Sequence, residues 1–165
     1  MADTALDQLV ARARLQDLVA DYAASMDWID WDLLNRVFWP EAQFDFGMFK
    51  GDLAAYRSFA QMLEEPYARR LHMFGLPAIR LHGDRARVDA GSLITCRTAT
   101  PEPGIDDTFW GRYLFDAERR EGVWRFSGLT YLLNLAERVE RTSDDRAGPM
   151  NFSENLSPLH PFARP

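Results

Sequence analysis

The second half of the chain is a succession of long strand patterns separated by very short turns, and this feature limits the possible folds most strongly. Alternating apolar and polar side chains predict four strands, over residues 70–81, 85–98, 107–117 and 123–133. Gly83-Asp84 and Glu121-Gly122 predict tight turns, and Gly75 and Pro77 predict that the first strand is interrupted or bent between them. Strands joined this closely favour an antiparallel sheet, because a parallel connection needs a dozen or more residues.

The first half predicts three helices, over residues 4–26, over residues 28–39, and from Asp52 to just before Pro66. The predicted caps are Thr4 or Asp3, Asp30 and Asp52, and Pro40 ends the second helix. Residues 42–46 predict a short strand. Helices followed by a long curved sheet make an α+β fold, which we expect to be a cone-shaped barrel of mainly antiparallel strands. Three N-terminal helices would close it, and its mouth would form a pocket.

Composition restricts the function classes. A net charge of −6 and a pI near 5.0 argue against a nucleic-acid or anionic-membrane partner. Cys96 is the single cysteine, which excludes an internal disulfide and fits a reducing compartment, so we expect a cytoplasmic protein. Residues 1–141 are predicted to form one domain, and the Pro-, Ser- and Asn-rich residues 142–165 a tail docked on the domain or on a neighbouring subunit.

Asp27 is the first candidate for a functional residue. It continues the apolar helical stripe of Val19 and Ala23, which places a carboxylate on the inward face of the first helix. Such burial is costly unless a donor meets the carboxylate, and His72 is the partner that would give it a chemical purpose. The sequence alone also allows a structural role, in which Asp27 caps the backbone or pairs with Arg36 and His72 is merely structural.

Several motifs, in order, resemble the SnoaL-like domain of the nuclear transport factor 2-like superfamily. They cover roughly residues 5–135 and comprise Leu15-Gln-Asp-Leu18, Tyr22, Asp27-Trp-Ile-Asp30-Trp31, Phe38-Trp-Pro-Glu-Ala-Gln-Phe44, His72-Met-Phe-Gly75 and Gly122-Val-Trp-Arg-Phe126. Within that superfamily they are most similar to hexachlorocyclohexane dehydrochlorinase, scytalone dehydratase and bile-acid 7α-dehydratase. The resemblance implies a cone-shaped barrel, no cofactor, a base formed by Asp27 and His72, a role for Tyr22, and a homo-oligomer, with a trimer favoured over a dimer.

The sequence departs from these enzymes where they handle the leaving group. The dehydrochlorinase has a lysine at the position of Tyr22 and an arginine near Leu129, and scytalone dehydratase has a second histidine in the region of Ser92. The base pair therefore carries over, whereas the substrate does not.

We therefore expect a cofactor-independent lyase, a dehydratase or dehydrohalogenase of a hydrophobic cyclic small molecule. His72 would abstract a carbon-bound proton, Asp27 would orient the imidazole, and Tyr22 would assist the leaving group. An isomerase or polyketide cyclase would use the same base, and a non-catalytic ligand-binding or assembly subunit is the alternative from another class. Further pocket candidates are Trp28, Ser92, Arg97, Trp110, Tyr113 and Tyr131. The histidine spacing predicts no metal site.

Overall fold

The computed structural model describes residues 4–100 and 104–141, so the predicted tail lies outside the described residues. The helices are α1 (Ala5–Asp27), α2 (Trp31–Val37) and α3 (Leu53–Glu64). The strands are β1 (Phe38–Asp45), β2 (Lys50–Asp52), β3 (Tyr67–Phe74), β4 (Ala78–His82), β5 (Arg85–Thr98), β6 (Ile105–Arg120) and β7 (Val123–Glu140). None of the helices in these ranges is long and apolar enough to cross a membrane.

The helices begin at the predicted caps. The Thr4 hydroxyl accepts a hydrogen bond from the backbone N–H of Asp7, whose carboxylate accepts from Thr4 in return, which is a capping box. The side chains of Asp30 and Asp52 accept in the same way from the third backbone N–H of α2 and α3. These bonds satisfy N–H groups that the first helical turn leaves without partners.

Seven strands form one open, curved, mixed sheet in the order β2-β1-β7-β6-β5-β3, and β4 pairs with the other end of β5. All neighbours are antiparallel except β1 and β7, which are parallel. With three helices against its inner face, the sheet confirms the predicted α+β cone.

Several element boundaries differ from the sequence prediction. The predicted strand over 70–81 is interrupted around Gly75 and Pro77, one of the two predicted possibilities, and forms β3 and β4. Strand β3 pairs with residues 92–98 of β5, and β4 pairs with residues 85–89. The second helix ends at Val37 rather than residue 39, since Phe38 already pairs with Phe126 on β7. Strands β6 and β7 are longer than predicted because they pair with each other along their lengths. The pairing begins at Arg120 and Val123, beside the Glu121-Gly122 turn, and ends at Ile105 and Glu140.

The core lies between α1 and the concave face of the sheet. Tyr22 of α1 packs edge-on against Phe38 and Phe115, and Phe115 stacks on Phe126 with a ring separation of 4.2 Å. All four side chains are essentially inaccessible to water. Packing of this apolar area is what holds the helical layer on the sheet.

The convex face of the sheet carries an apolar row that crosses four strands. Met73, Leu93, Trp110 and Leu135 occupy successive directly paired positions on β3, β5, β6 and β7, so their side chains share one face. Met73 is 50% exposed and Leu135 is 65% exposed. These four described residues, called the convex row below, form an apolar surface on the side of the sheet away from the helices.

Candidate active site

Asp27 and His72 form a hydrogen-bonded pair. Oδ1 of Asp27 lies 2.8 Å from the backbone nitrogen of His72 and 2.8 Å from its ring Nδ1. Because a carboxylate oxygen can only accept, the contact assigns a proton to Nδ1, and in the neutral imidazole Nε2 is then the nitrogen with the lone pair. The side chain of His72 is 4% exposed and that of Asp27 is 14% exposed, so the pair is shielded from bulk water.

The topology explains why these two residues meet. Strand β3 ends the sheet, so the N–H groups on its outer edge have no strand partner. Asp27 is the last residue of α1 and packs against that edge, where its carboxylate accepts one of those N–H groups and orients the ring on the same residue. The chain then reverses through Ile29 at φ 54°, a left-handed conformation that is strained for a β-branched side chain.

His72 lies in the wall of a cavity of about 320 Å³ between the helices and the concave face of the sheet. Most of the wall is apolar, with side chains such as Met26, Phe59 and Ile94. The polar groups are His72, Glu64, Cys96 and four tyrosines besides Tyr22, namely Tyr56, Tyr67, Tyr113 and Tyr131. A cavity with few polar groups suits a mainly hydrophobic small molecule.

Tyr22 lines the cavity, and its hydroxyl oxygen lies 2.7 Å from that of Tyr56. Burial raises the pKa of Tyr22 well above its usual value, with the neighbouring tyrosines Tyr56 and Tyr113 acting in the same direction. Tyr22 therefore stays neutral and can serve only as a hydrogen-bond donor or acceptor. Its hydroxyl already has a partner in Tyr56.

Glu64 is a cavity residue that the sequence analysis missed. Its carboxylate lies 2.7 Å from Nε of Arg70, whose side chain is 1% exposed. Glu64 is the last residue of α3, and Arg70 lies on β3. Burial raises the pKa of Glu64, and electrostatic interactions with His72 and Arg70 oppose that rise. Glu64 follows Ala60 by four positions and Tyr56 by eight, so the stripe criterion that selected Asp27 would also have found it.

Of the six further pocket candidates, Tyr113 and Tyr131 lie in the cavity wall. The described residues of that wall do not include the other four, which are Trp28, Ser92, Arg97 and Trp110.

Each of these four has another place in the fold. Trp110 lies on the convex face, because alternation along β6 turns Tyr113 inward and Trp110 outward. Arg97 makes a two-bond pair with Asp106, and Trp28 ends α1 through a backbone hydrogen bond to Ala24. Ser92 faces inward but is buried at 9% exposure beside the cavity.

No set of three or more His, Cys, Asp and Glu side chains in residues 4–100 and 104–141 is arranged to hold a metal ion.

The fold, an α+β cone with an internal cavity, is the nuclear transport factor 2-like fold. A protein of this superfamily from Salmonella enterica serovar Typhimurium superposes with a TM-score of 0.70 at 15% identity, over 87% of this chain and 99% of that one. The model of the SnoaL-like domain family matches residues 7–130, and the chain belongs to that family.

Two further solved structures share the fold. A hexachlorocyclohexane dehydrochlorinase, LinA type 2, superposes with a TM-score of 0.78 at 21% identity, covering 88% of this chain and 99% of that one. A putative scytalone dehydratase from Novosphingobium aromaticivorans has a TM-score of 0.72 at 16% identity, covering 87% and 97%. Among curated proteins, the uncharacterized Rv2910c of Mycobacterium tuberculosis is 32% identical over 78 residues, which are 46% of this chain. The match spans about half the length of that relative, 53%.

Proposed function

We propose that the protein is a lyase that eliminates water or a hydrogen halide from a hydrophobic cyclic small molecule, with His72 as the base. The observation that carries the proposal is the contact between Asp27 and Nδ1 of His72, a residue in the wall of an apolar cavity. In the neutral imidazole this contact makes Nε2 the basic nitrogen. The names of the two enzyme-like structural neighbours, a dehydrochlorinase and a putative scytalone dehydratase, support elimination as the reaction type.

The proposed step is balanced within the substrate. Nε2 of His72 takes a proton from carbon, the electrons of that C–H bond form a new C=C bond, and the neighbouring hydroxide or halide leaves with its own bonding electrons. The carboxylate of Asp27 stabilises the imidazolium that results, and its hydrogen bond fixes the ring orientation throughout. In an apolar cavity this charge interaction is stronger than it would be in water.

The leaving group needs a hydrogen-bond donor, and we assign this role to Tyr22, as the sequence suggested. The Tyr22 and Tyr56 hydroxyls are 2.7 Å apart, so the two would act together, one donating to the other. Such a pair leaves one of its two protons for the leaving group. No metal or organic cofactor takes part in this scheme. We also propose that the protein acts in the cytoplasm.

An isomerase or cyclase is the second candidate, and Glu64 is the observation that favours it. This carboxyl group lines the same cavity as His72, and burial raises its pKa. Proton transfer from the Glu64 carboxyl group to a different carbon would move a double bond without loss of a leaving group.

Proton abstraction can be measured without knowing the natural substrate. Cyclic ketones and halogenated cycloalkanes that bind the protein would be incubated with it in D₂O, with deuterium uptake and loss of water or acid followed by NMR and mass spectrometry. We expect catalysed exchange or elimination with wild type, and a fall of roughly 10²- to 10⁴-fold in His72→Gln. Asp27→Asn should fall within the same range, because the ring loses its charged partner.

The outcomes separate the candidates. Loss of mass supports the lyase, and deuterium uptake at a second carbon without loss of mass supports the isomerase. Bound probes that show neither reaction would favour the non-catalytic binder. Full activity in His72→Gln would contradict the assignment of the base.

A further inference from the structure

The polar side chains of the cavity differ in what they can offer to a bound molecule. The hydroxyl of Tyr67 donates its proton to Asp107 at 2.8 Å. The hydroxyl of Tyr131 has no hydrogen-bond partner among the described residues, but it is packed on the backbone of Gly111 and is inaccessible to water. Neither hydroxyl is therefore available to a ligand. Glu64 is different, because only one side of its carboxylate is covered by protein.

The two carboxylate oxygens of Glu64 have different surroundings. Oε2 lies 2.7 Å from Nε of Arg70 and is inaccessible to water. The side chain as a whole is nevertheless 12% exposed, and it lines the cavity. Oε1 is not enclosed as Oε2 is, and no described residue donates a hydrogen bond to it. Oε1 is therefore an acceptor that a molecule in the cavity can reach.

Arg70 holds this carboxylate in place from behind. Nη2 of Arg70 donates to the backbone carbonyl of Glu64 at 3.1 Å and to that of Tyr67 at 2.6 Å, which ties the last residue of α3 to the first residue of β3. The guanidinium stays protonated, so its charge favours the carboxylate of Glu64 over the neutral acid. Because Arg70 already compensates that charge and would repel a second cation, the reachable oxygen suits a neutral donor such as a hydroxyl.

Glu64 and His72 act on the same space. Arg70 and His72 are two positions apart on β3, so their side chains leave the strand on the same face, and both are buried. Glu64 interacts electrostatically with His72 and with Asp27, and Glu64 and His72 both line the cavity. One small molecule can therefore contact the imidazole and the carboxylate together.

We propose that Oε1 of Glu64 accepts a hydrogen bond from a hydroxyl of the ligand, which is therefore an apolar ring compound that carries a hydroxyl besides its leaving group. The inference rests on the proposed function only in taking this ligand to be the substrate of His72. It gives Glu64 a role in binding and specificity, because a carboxylate oxygen accepts from a hydroxyl and repels a halogen or a carbonyl oxygen at the same place.

Two probe molecules of nearly the same shape test the proposal. 2-Naphthol carries a hydroxyl, and 2-fluoronaphthalene carries at the same position a fluorine, which cannot donate. Neither can undergo the proposed elimination, because the substituent is on an aromatic ring. Dissociation constants would be measured by ligand-observed NMR for wild type, Glu64→Gln and Glu65→Gln. The last variant is a matched control, since Glu65 is the next residue, is exposed and is not among the described residues of the cavity wall.

We expect wild type to bind 2-naphthol more tightly than 2-fluoronaphthalene. Glu64→Gln should reduce this preference about 5- to 10-fold, as expected when a neutral acceptor replaces a charged one. Glu65→Gln should keep the wild-type preference. An unchanged preference in Glu64→Gln, or an equal weakening of both probes, would overturn the proposal.

A measurement on the wild-type protein does not depend on how well the variant folds. The ¹³C resonance of the Glu64 carboxylate should shift when 2-naphthol saturates the protein and should stay in place with 2-fluoronaphthalene. The absence of a shift with 2-naphthol would also overturn the proposal. The naphthol preference does not depend on turnover. Loss of proton abstraction with that preference intact would therefore refute the base, and the converse result would refute the role of Glu64.

Discussion

Replacing Asp27 by alanine should destabilise the protein strongly. The change removes the acceptor of two buried hydrogen bonds, from the backbone N–H and from Nδ1 of His72, each 2.8 Å long. Leaving two such donors unsatisfied costs about 1–3 kcal/mol each. Removing a negative charge from the C-terminal end of α1 returns about 0.3–1 kcal/mol. The expected net loss is therefore about 1–6 kcal/mol in the free energy of unfolding.

Urea unfolding would measure this loss, with Asp17→Ala as the matched control. Asp17 is on the same helix, but its side chain is 64% exposed and its ion pair with Arg14 spans 3.7 Å, so we expect a change within about 0.5 kcal/mol. The ¹⁵N shifts of the His72 ring supply a second test, and the wild-type protein should carry its proton on Nδ1. A loss below about 1 kcal/mol in Asp27→Ala, or a neutral wild-type imidazole whose single proton is on Nε2, would refute the deduced contact.

Two further predictions concern stability at low pH and self-association. Hydrogen bonds from Arg138 hold the pKa of Asp107 below its usual value, so its contribution to stability is present above the unfolded pKa of about 3.9 and is lost as pH falls through the lower folded pKa. The difference in unfolding free energy between pH 7 and pH 3 should be smaller in Asp107→Asn than in wild type, and an unchanged difference would contradict this assignment. We propose that the convex row is covered by another copy of the chain, with a trimer favoured. Trp110→Arg should then lower the mass in analytical ultracentrifugation, while Leu76→Arg, at a residue 87% exposed outside the row, should not. A monomeric wild-type protein would rule the proposal out.

The prediction of Asp27 and the omission of Glu64 show how far helical periodicity reaches. Both carboxylates continue the apolar stripe of their helix into its last turn, so the same criterion of helical spacing could have identified both. Periodicity indicates that a carboxylate faces inward, but it does not identify the donor. For Asp27 the family resemblance supplied His72, and for Glu64 no motif pointed to Arg70.

The predicted pocket residues show what side-chain periodicity cannot determine for strands. Tyr113 and Trp110 are three positions apart on β6, so they must lie on opposite faces, and the sequence does not indicate which face is concave. Register with β5 and β7 decides this, because it aligns Trp110 with Leu93 and Leu135 on the convex side. The same register places Gly111 beneath Tyr131.

Local sequence signals were sufficient for the helix caps, the turns and the α+β class, whereas the short strand β2 was not predicted. Each of these depends on interactions between residues a few positions apart, such as a capping side chain or a change of apolar period. The meeting of Asp27 with His72, 45 residues later, the ion pair of Glu64 with Arg70, and the unpartnered hydroxyl of Tyr131 were decided by tertiary structure. They depend on which strand lies at the edge and on where one backbone lets a ring approach, and both follow from how distant segments pack.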